Sequence, residues 1–264
     1  MMKFAVNYSN PLIRLIKEKA IEIDLIKCPD WEGMLKEARP YGPITIHYDI
    51  HIGTGEIQTL DLDRVRCFMK QTATPHVNAH LVTPRNFNPN DSAEINKINL
   101  LWREELAVLV ESFGAENVTL EHYPYTTATP YLLTATDPSI FSQVVQDTGC
   151  QFLLDLAHAQ ITADTLGVKA KDYITSLPLE RLTEVHITGI KMHGGILTDH
   201  FEMDDGSWEI LAWALDNIKT GHWPKPRVVA FEYGGVGDTF VWRTDYNHLK
   251  DQIPQLMDMV HAAD

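Results

Sequence analysis

The sequence is poor in cysteine and has no long hydrophobic run. Its 264 residues include three cysteines, Cys28, Cys67 and Cys150, which lie far apart and form no CxxC pair. This spacing is typical of reduced thiols and argues against a disulfide framework or a zinc knuckle. The apolar runs fall far short of the roughly 18 residues that a membrane helix needs, and the first residues lack a signal-peptide core. We therefore expect a cytoplasmic protein that does not enter a membrane.

Positive charge is also scarce. The chain has 22 lysines and arginines against 36 aspartates and glutamates, which gives a formal net charge of −14. A nucleic-acid-binding protein needs a surplus of lysine and arginine to neutralise phosphates, so the composition argues against DNA or RNA as a partner. No repeat, low-complexity segment or Gly/Ser linker interrupts the chain. Its length is close to the roughly 250 residues of a (β/α)8 barrel, and we expect residues 1–264 to form one domain.

Short runs of β-branched and apolar residues alternate with longer helical stretches. The predicted strands are Lys3–Asn7, Ile21–Leu25, Ile44–Tyr48, His76–Leu81, Val118–Glu121, Phe152–Asp155, Thr183–Ile187 and Arg227–Glu232. The predicted helices are Pro11–Glu18, Trp31–Ala38, Asp61–Lys70, Ser92–Phe113, Pro138–Gln146, Val168–Thr175, Trp208–Lys219 and Tyr246–Ala262. This alternation is typical of an α/β protein with a parallel sheet. The count predicts a single (β/α)8 TIM barrel rather than a doubly wound open sheet.

The long connections follow strands rather than helices. They are Val82–Asn90, His122–Thr136, Gly189–Gly206 and Tyr233–Thr244. A TIM barrel builds its active site from the loops that follow its strands, at one face of the barrel. The loop lengths therefore predict an active site at the carboxyl ends of the strands.

Six consecutive predicted strands, the third to the eighth, end in histidine, aspartate or glutamate. These strand ends and the loop after the seventh carry His47, Asp49 and His51; His76 and His80; Glu121 and His122; Asp155 and His158; Glu184, His186, Asp199 and His200; and Glu232. Imidazole and carboxylate are ligands that zinc, iron and manganese accept. Packing so many carboxylates together without a cation would be costly. The pattern therefore predicts a site for several divalent ions, with Glu121 and Glu232 as candidate bridging carboxylates.

Each of these residues also has a structural interpretation. A single histidine at a strand end is more often a hydrogen-bonded structural residue than a ligand, which keeps His51, His76 and His122 as weaker candidates. Asp155 could cap a following helix. The remaining histidines, on predicted loops or helices, are expected at the solvated surface: His193, His222, His248 and His261. The joint pattern at six strands favours the metal site over these separate explanations.

The order of the strand-end motifs resembles that of the xylose isomerase-like TIM-barrel superfamily. Within it, the sequence is most similar to the multinuclear non-haem iron-dependent oxidative enzymes, the MNIO family. The matching motifs are His80-Leu81, Leu120-Glu121, Leu153-Leu154-Asp155 and Glu184-Val185-His186-Ile187-Thr188-Gly189. The resemblance extends from about Ile44 to Glu232 and implies an oxidative enzyme.

The resemblance implies a set of metal ligands for two or three ions per chain. They are His47, His80, Glu121, Asp155, His158, His186, Asp199, His200 and Glu232. Iron is favoured, with zinc or manganese as alternatives. Three departures from the family pattern stand out: many members have Asn where His158 stands, the Asp-x-His motif is an adjacent Asp199-His200, and His51 competes with the preferred His47.

Several functions remain open at this point. The favoured one is a non-haem iron oxidative enzyme that acts on a peptide or a small molecule. The Asp155-x-x-His158 spacing also resembles the trinuclear zinc endonucleases, which would make the chain a phosphodiesterase. A divalent-metal sugar or sugar-phosphate isomerase or epimerase and a non-catalytic metal-binding protein are further alternatives. The candidate catalytic residues are Glu121 and Glu232, with Lys191 and Arg243 as candidate binders of a phosphate or carboxylate group.

Overall fold

The computed structural model describes residues 1–264, in which strands and helices alternate. The strands are β1 (Lys3–Asn7), β2 (Leu25–Pro29), β3 (Ile44–His47), β4 (His51–Ile52), β5 (Val77–Leu81), β6 (Val118–His122), β7 (Gln151–Asp155), β8 (Leu182–Ile187), β9 (Gly189–His193), β10 (Ile196–Phe201) and β11 (Val228–Phe231). The helices are α1 (Asn10–Lys17), α2 (Glu32–Ala38), α3 (Leu62–Gln71), α4 (Ser92–Phe113), α5 (Pro138–Thr148), α6 (Leu156–Leu166), α7 (Ala170–Thr175), α8 (Asp205–Lys219) and α9 (Tyr246–Ala262). No helix is both long and apolar enough to span a membrane.

Nine of the strands form one curled parallel sheet. Their order is β3-β2-β1-β11-β8-β7-β6-β5-β4, while β9 and β10 form a separate antiparallel hairpin. The two edge strands of the sheet, β3 and β4, follow one another in the chain with only 48–50 between them. The predicted α/β class with a parallel sheet is confirmed, and all carboxyl ends of the sheet strands face the same way.

Between β3 and residues 74–78, hydrogen bonds to side chains take the place of the backbone hydrogen bonds of a parallel strand pair. The amide of Ile46 donates to Oγ1 of Thr74 at 2.9 Å. The amide of Tyr48 donates to Oδ1 of Asn78 at 2.7 Å, and Nδ2 of Asn78 donates back to the carbonyl of Tyr48 at 3.1 Å. The predicted strand Ile44–Tyr48 therefore ends one residue early, at His47, because Asn78 takes the hydrogen bonds that a strand partner would form.

The second predicted strand, Ile21–Leu25, is wrong. Residues 20–24 form the approach to β2, and Asp24 accepts a hydrogen bond from the amide of Phe4 at 2.8 Å and lies 2.8 Å from Nε2 of His261. The strand that follows, β2, carries the charged Lys27 at its centre, buried at 3% exposure. A lysine in the middle of a short apolar run breaks the hydrophobic pattern by which a buried strand is recognised.

Two further elements differ from the sequence-based expectation. Helix α6 begins directly after β7 and was not predicted as a helix. The predicted loop Gly189–Gly206 contains the hairpin of β9 and β10, whose turn is formed by Gly194 and Gly195 with φ of +60° and +85°. A Cβ on Gly189 would lie 1.7 Å from the carbonyl oxygen of Glu202, so only glycine allows the two strands of the hairpin to start this close together.

Candidate metal centre

A cavity of about 480 Å³ opens at the carboxyl ends of the sheet strands. Seven of the nine predicted ligands line it: His47, His80, Glu121, His158, Asp199, His200 and Glu232. The other two, Asp155 and His186, are at most 1% exposed and lie beneath it. The structure therefore places the whole predicted set at one end of the sheet.

Glu121 contacts two histidines, His80 of the neighbouring strand β5 and His47 of the edge strand β3, through one carboxylate oxygen. Its Oε2 lies 3.1 Å from Nε2 of His80 and 3.5 Å from Nε2 of His47. The two imidazoles approach each other to 3.4 Å between their Nε2 atoms. Parallel pairing of β5 with β6 sets His80 beside Glu121 in register. The three ligand atoms lie within 4.8 Å of one another, close enough to hold one metal ion.

The other oxygen of Glu121 faces a second cluster. Its Oε1 lies 3.3 Å from Nδ1 of His158, and Oδ2 of Asp155 lies 3.7 Å from Nε2 of His158. Asp155 also serves as the N-cap of α6, because its Oδ1 accepts the backbone N–H of His158 at 2.8 Å. The cap uses Oδ1 of Asp155, which leaves Oδ2 facing the second cluster, and Glu121 is common to both clusters.

Several buried polar atoms at this site have no hydrogen-bond partner. They are Oε2 of Glu121, Oδ2 of Asp155, Nδ1 of His80 and Nδ1 of His200. A buried carboxylate oxygen without a partner is costly in protein interiors. Carboxylate and imidazole together form a donor set that accepts zinc, iron and manganese. The residues therefore fit divalent metal ions.

His186 is fully buried and lies within 4 Å of four carboxylates, those of Glu121, Asp155, Glu184 and Glu232. Its Nδ1 is 3.5 Å from Oε1 of Glu232 and 3.6 Å from Oε1 of Glu121. Its Nε2 is 2.9 Å from Oε1 of Glu184, which lies two residues earlier on β8. A carboxylate behind a ligand histidine fixes the orientation of the ring and its protonation site.

Sequence reasoning missed Lys27, which reaches the same place from β2. Its Nζ donates a hydrogen bond to Oε1 of Glu232 and lies 2.8 Å from Nε2 of His186. The available signal was a lone lysine inside the apolar run Leu25–Cys28. A charged residue in a buried strand must have a charged or polar partner. The buried position of Lys27 therefore indicates that it pairs with an acidic group inside the protein.

The adjacent pair Asp199-His200 lies on β10 and its two members behave differently. Oδ2 of Asp199 is 3.1 Å from Nε2 of His158, so Asp199 contacts the second cluster, although like His200 it belongs to none of the candidate ligand groups. His200 has a left-handed backbone, with φ of +61°, and its ring packs 4.6 Å from that of Phe240. His200 lines the cavity but belongs to none of the groups whose ligand atoms lie within 4.8 Å of one another.

The two predicted cationic residues lie outside the cavity lining. Lys191 is on the exposed hairpin strand β9 and forms an ion pair with Glu202. Arg243 stacks on Phe201 and donates from Nη1 to the carbonyl of Asp199 at 2.8 Å. The structure therefore does not bring Lys191 to the site, and Arg243 reaches only the backbone beside it.

The weaker histidine candidates occupy distinct surroundings. His122 packs between Phe141 and Phe152 on the side facing the helices, where burial lowers its pKa to about 3. His76 is paired with Glu184 below the site. His51 lies at the rim, 3.2 Å from the hydroxyl of Tyr123, and forms a third possible cluster with Asp49 and His80. Of these two histidines, only His47 contacts Glu121. The geometry therefore favours His47 over His51 as a candidate ligand.

Opposing charges shift the proton equilibria of the site. Burial alone would lower the pKa of His158, but Asp155 and Asp199 outweigh it and hold that pKa well above its usual value. Burial is likewise outweighed at His186, where Glu232 and other carboxylates raise the pKa to about 10. The carboxylates around these two histidines therefore favour their protonated forms, while Lys27 opposes protonation of His186.

The sequence model of the family described as "RiPP precursor modification enzyme MbnB/TglH/ChrH" matches residues 29–224. The chain therefore belongs to this family, which confirms the MNIO resemblance drawn from the strand-end motifs.

Two relatives carry only the name UPF0276 protein. The one from Acaryochloris marina is 22% identical over 222 residues, covering 80% of this chain and 74% of that protein. The one from Paraburkholderia phytofirmans is 39% identical over 56 residues, covering 21% of this chain and 18% of that protein. The chain thus matches most of the first relative and a short segment of the second.

Solved structures with the same fold cover nearly the whole chain. An IolI protein with a bound zinc atom has a TM-score of 0.63 and 14% identity, covering 100% of this chain and 99% of that one. A family 2 AP endonuclease from Brucella melitensis has a TM-score of 0.64 and 15% identity, covering 98% and 100%. A D-tagatose 3-epimerase-like protein has a TM-score of 0.60 and 13% identity, covering 99% and 98%. At these identities the likeness concerns the fold alone.

Proposed function

We propose that the chain is a metal-dependent enzyme of the non-haem iron oxidative type that modifies a side chain of a precursor peptide. The observation that carries the proposal is the position of Glu121, whose two oxygens face the His47–His80 cluster and the Asp155–His158 cluster. A carboxylate shared between two ligand groups is suited to a site with more than one ion. Membership of the RiPP precursor modification family supports the oxidative reaction and the peptide substrate.

Under this proposal the predicted ligands have separate roles. Glu121 would contribute to both ion positions, together with His47 and His80 on one side and Asp155 and His158 on the other. Glu184 holds His186 in place, and the carbonyl of His122, 2.8 Å from Nδ1 of His158, orients that ring. Bound ferrous ions would supply the redox chemistry by which dioxygen is reduced while the substrate is oxidised.

The cavity walls favour an apolar or peptide group. Trp31, 56% exposed, and Met34 form part of one wall, and Val236 and Phe240 form part of another. Lys27 is the only lysine or arginine that lines the cavity, and it is paired with Glu232. A bound phosphate would therefore meet the divalent ions but no free lysine or arginine beside them. The apolar part of the lining supports a peptide side chain as the substrate.

We also propose that residues 1–264 form one domain, a (β/α)8 barrel whose third strand is interrupted. In this interpretation β3 and β4 are two halves of a single barrel strand. The amides of His80 and Val82 donate to the carbonyls of Ile50 and Ile52 at 2.8 and 3.0 Å. Together with the side-chain bonds of Thr74 and Asn78, these contacts would close the ring of strands.

The proposed reaction type is tested by identifying the metal. The protein is purified without oxygen or chelator, reconstituted with ⁵⁷Fe(II), and studied by elemental analysis and Mössbauer spectroscopy before and after exposure to dioxygen. We expect at least two irons per chain, ferrous at first and oxidised on exposure. Selective binding of zinc or manganese with no retained iron would contradict the oxidative reaction and favour isomerisation or hydrolysis.

A further inference from the structure

Lys27 places a fixed positive charge inside the candidate metal centre. The residue stands at the middle of β2, 3% exposed, and its neighbours Leu25 and Ile26 are buried apolar residues. Its ammonium group contacts Oε1 of Glu232 and lies 2.8 Å and 3.5 Å from the two ring nitrogens of His186. Both partners belong to the predicted ligand set, so the ammonium group competes directly with a metal ion for them.

The position of the ammonium group coincides with one possible ion site. His47, His186 and Glu232 form a group whose ligand atoms lie within 4.8 Å of one another. Lys27 contacts two of these three residues. The two clusters that share Glu121 contain His80, Asp155 and His158, none of which Lys27 contacts. The lysine therefore blocks one ion position and leaves both clusters that share Glu121 open.

We propose that Lys27 is a resident cation that takes the place of one divalent ion, so that the centre holds two ions rather than three. The proposal rests on the proposed metal-dependent function and fixes its ion count. The two ions occupy the His47–His80–Glu121 cluster and the Glu121–Asp155–His158 cluster. His186 faces the second cluster through Nδ1, which lies 3.6 Å from Oε1 of Glu121 and 3.8 Å from Oδ2 of Asp155, and serves as a further ligand there. Glu232 is then held by Lys27 and is a positioning residue rather than a ligand.

Charge balance supports the smaller ion count. Five buried carboxylates, those of Glu121, Asp155, Asp199, Glu232 and Glu184, lie at the centre. Two divalent ions and Lys27 together carry five positive charges and balance them. A third divalent ion beside the ammonium group would leave an excess of two positive charges in a buried site, where uncompensated charge is strongly unfavourable.

The test counts ions in the wild type and in Lys27→Met, which keeps the length of the side chain and removes its charge. Both proteins are reconstituted anaerobically with Fe(II), freed of excess metal, and measured by elemental analysis and native mass spectrometry. Lys36→Met, on the exposed face of α2, is the matched control. We expect two ions in the wild type and in the control, and three in Lys27→Met, where the His47–His186–Glu232 group becomes available.

Three ions in the wild type, or no gain of an ion in a folded Lys27→Met protein, would overturn the proposal. A wild type that binds no ion would instead reject the proposed metal-dependent function. Glu232→Gln provides a second test if Lys27→Met does not fold. We expect it to retain both ions, whereas the loss of an ion would show that Glu232 is a ligand and would contradict the role assigned to Lys27.

Discussion

Glu184 lies two residues before His186 on β8, and its Oε1 is 2.9 Å from Nε2 of that histidine. Residues two apart on a strand face the same side, so both side chains point into the centre of the sheet. The second oxygen of Glu184 is held by His76. This chain of contacts fixes the His186 ring with Nδ1 facing the carboxylates of Glu121 and Glu232.

Removing the charge of Glu184 is expected to weaken metal binding without removing a ligand. Loss of a carboxylate behind a ligand histidine typically costs about 10–100-fold in metal affinity, and we predict a loss in this range for Glu184→Gln. The affinity is measured by competition with a chelator of known strength. Glu180→Gln, at an exposed position just before β8, is the control. Equal affinities in the two variants would show that Glu184 has no orienting role.

Metal binding is expected to release protons at neutral pH. Without metal, His158 and His186 both have raised pKa values, about 10 for His186, and so carry protons at pH 7. A ligand nitrogen must lose its proton to bind a metal, so affinity should fall as the pH is lowered. Calorimetric titration at pH 7 in two buffers of different ionisation enthalpy measures the release, and we predict up to two protons per chain. A heat independent of the buffer would contradict this expectation.

The turn after β4 is expected to tolerate no side chain at its first glycine. Gly53 has φ of +110°, and a Cβ there would lie 2.2 Å from the carbonyl oxygen of Val82 and 2.5 Å from Nε1 of Trp102. Gly55 has φ of +84° with nothing within 4 Å of its Cβ position. We predict that Gly53→Ala lowers the free energy of unfolding by about 3 kcal/mol or more, and Gly55→Ala by about 1 kcal/mol. Urea denaturation compares the two, and equal losses would contradict the steric argument.

Seven of the eight predicted strands correspond to strands of the sheet, because each is a short apolar run, and six of them also end in histidine, aspartate or glutamate. The strand ends His80, Glu121 and His186 were visible for the same reason. Parallel strands bring their carboxyl ends to one face, so the order of these residues in the sequence was enough to group them.

Two elements that the sequence does not predict, β2 and the hairpin of β9 and β10, depend on a buried polar group and on a close backbone contact. The charged Lys27 interrupts the apolar pattern of β2. Its partner Glu232 lies 205 positions away in the sequence, so neighbouring residues do not reveal the pairing. The hairpin of β9 and β10 depends on the close approach of Gly189 to the backbone of Glu202, which the sequence does not show. Lys191 and Arg243 lay on loops of the correct face, but the hairpin carries Lys191 away from the cavity.

The most direct test of the centre is the metal content of Glu121→Gln. Glutamine keeps the shape of the side chain but lacks the charge with which Glu121 serves two clusters. Wild type, Glu121→Gln and the exposed control Glu116→Gln are reconstituted with Fe(II) without oxygen and counted by native mass spectrometry. We expect Glu121→Gln to lose the ions of both clusters together, while Glu116→Gln keeps them. A folded Glu121→Gln protein with the full wild-type complement would contradict a centre organised around this carboxylate.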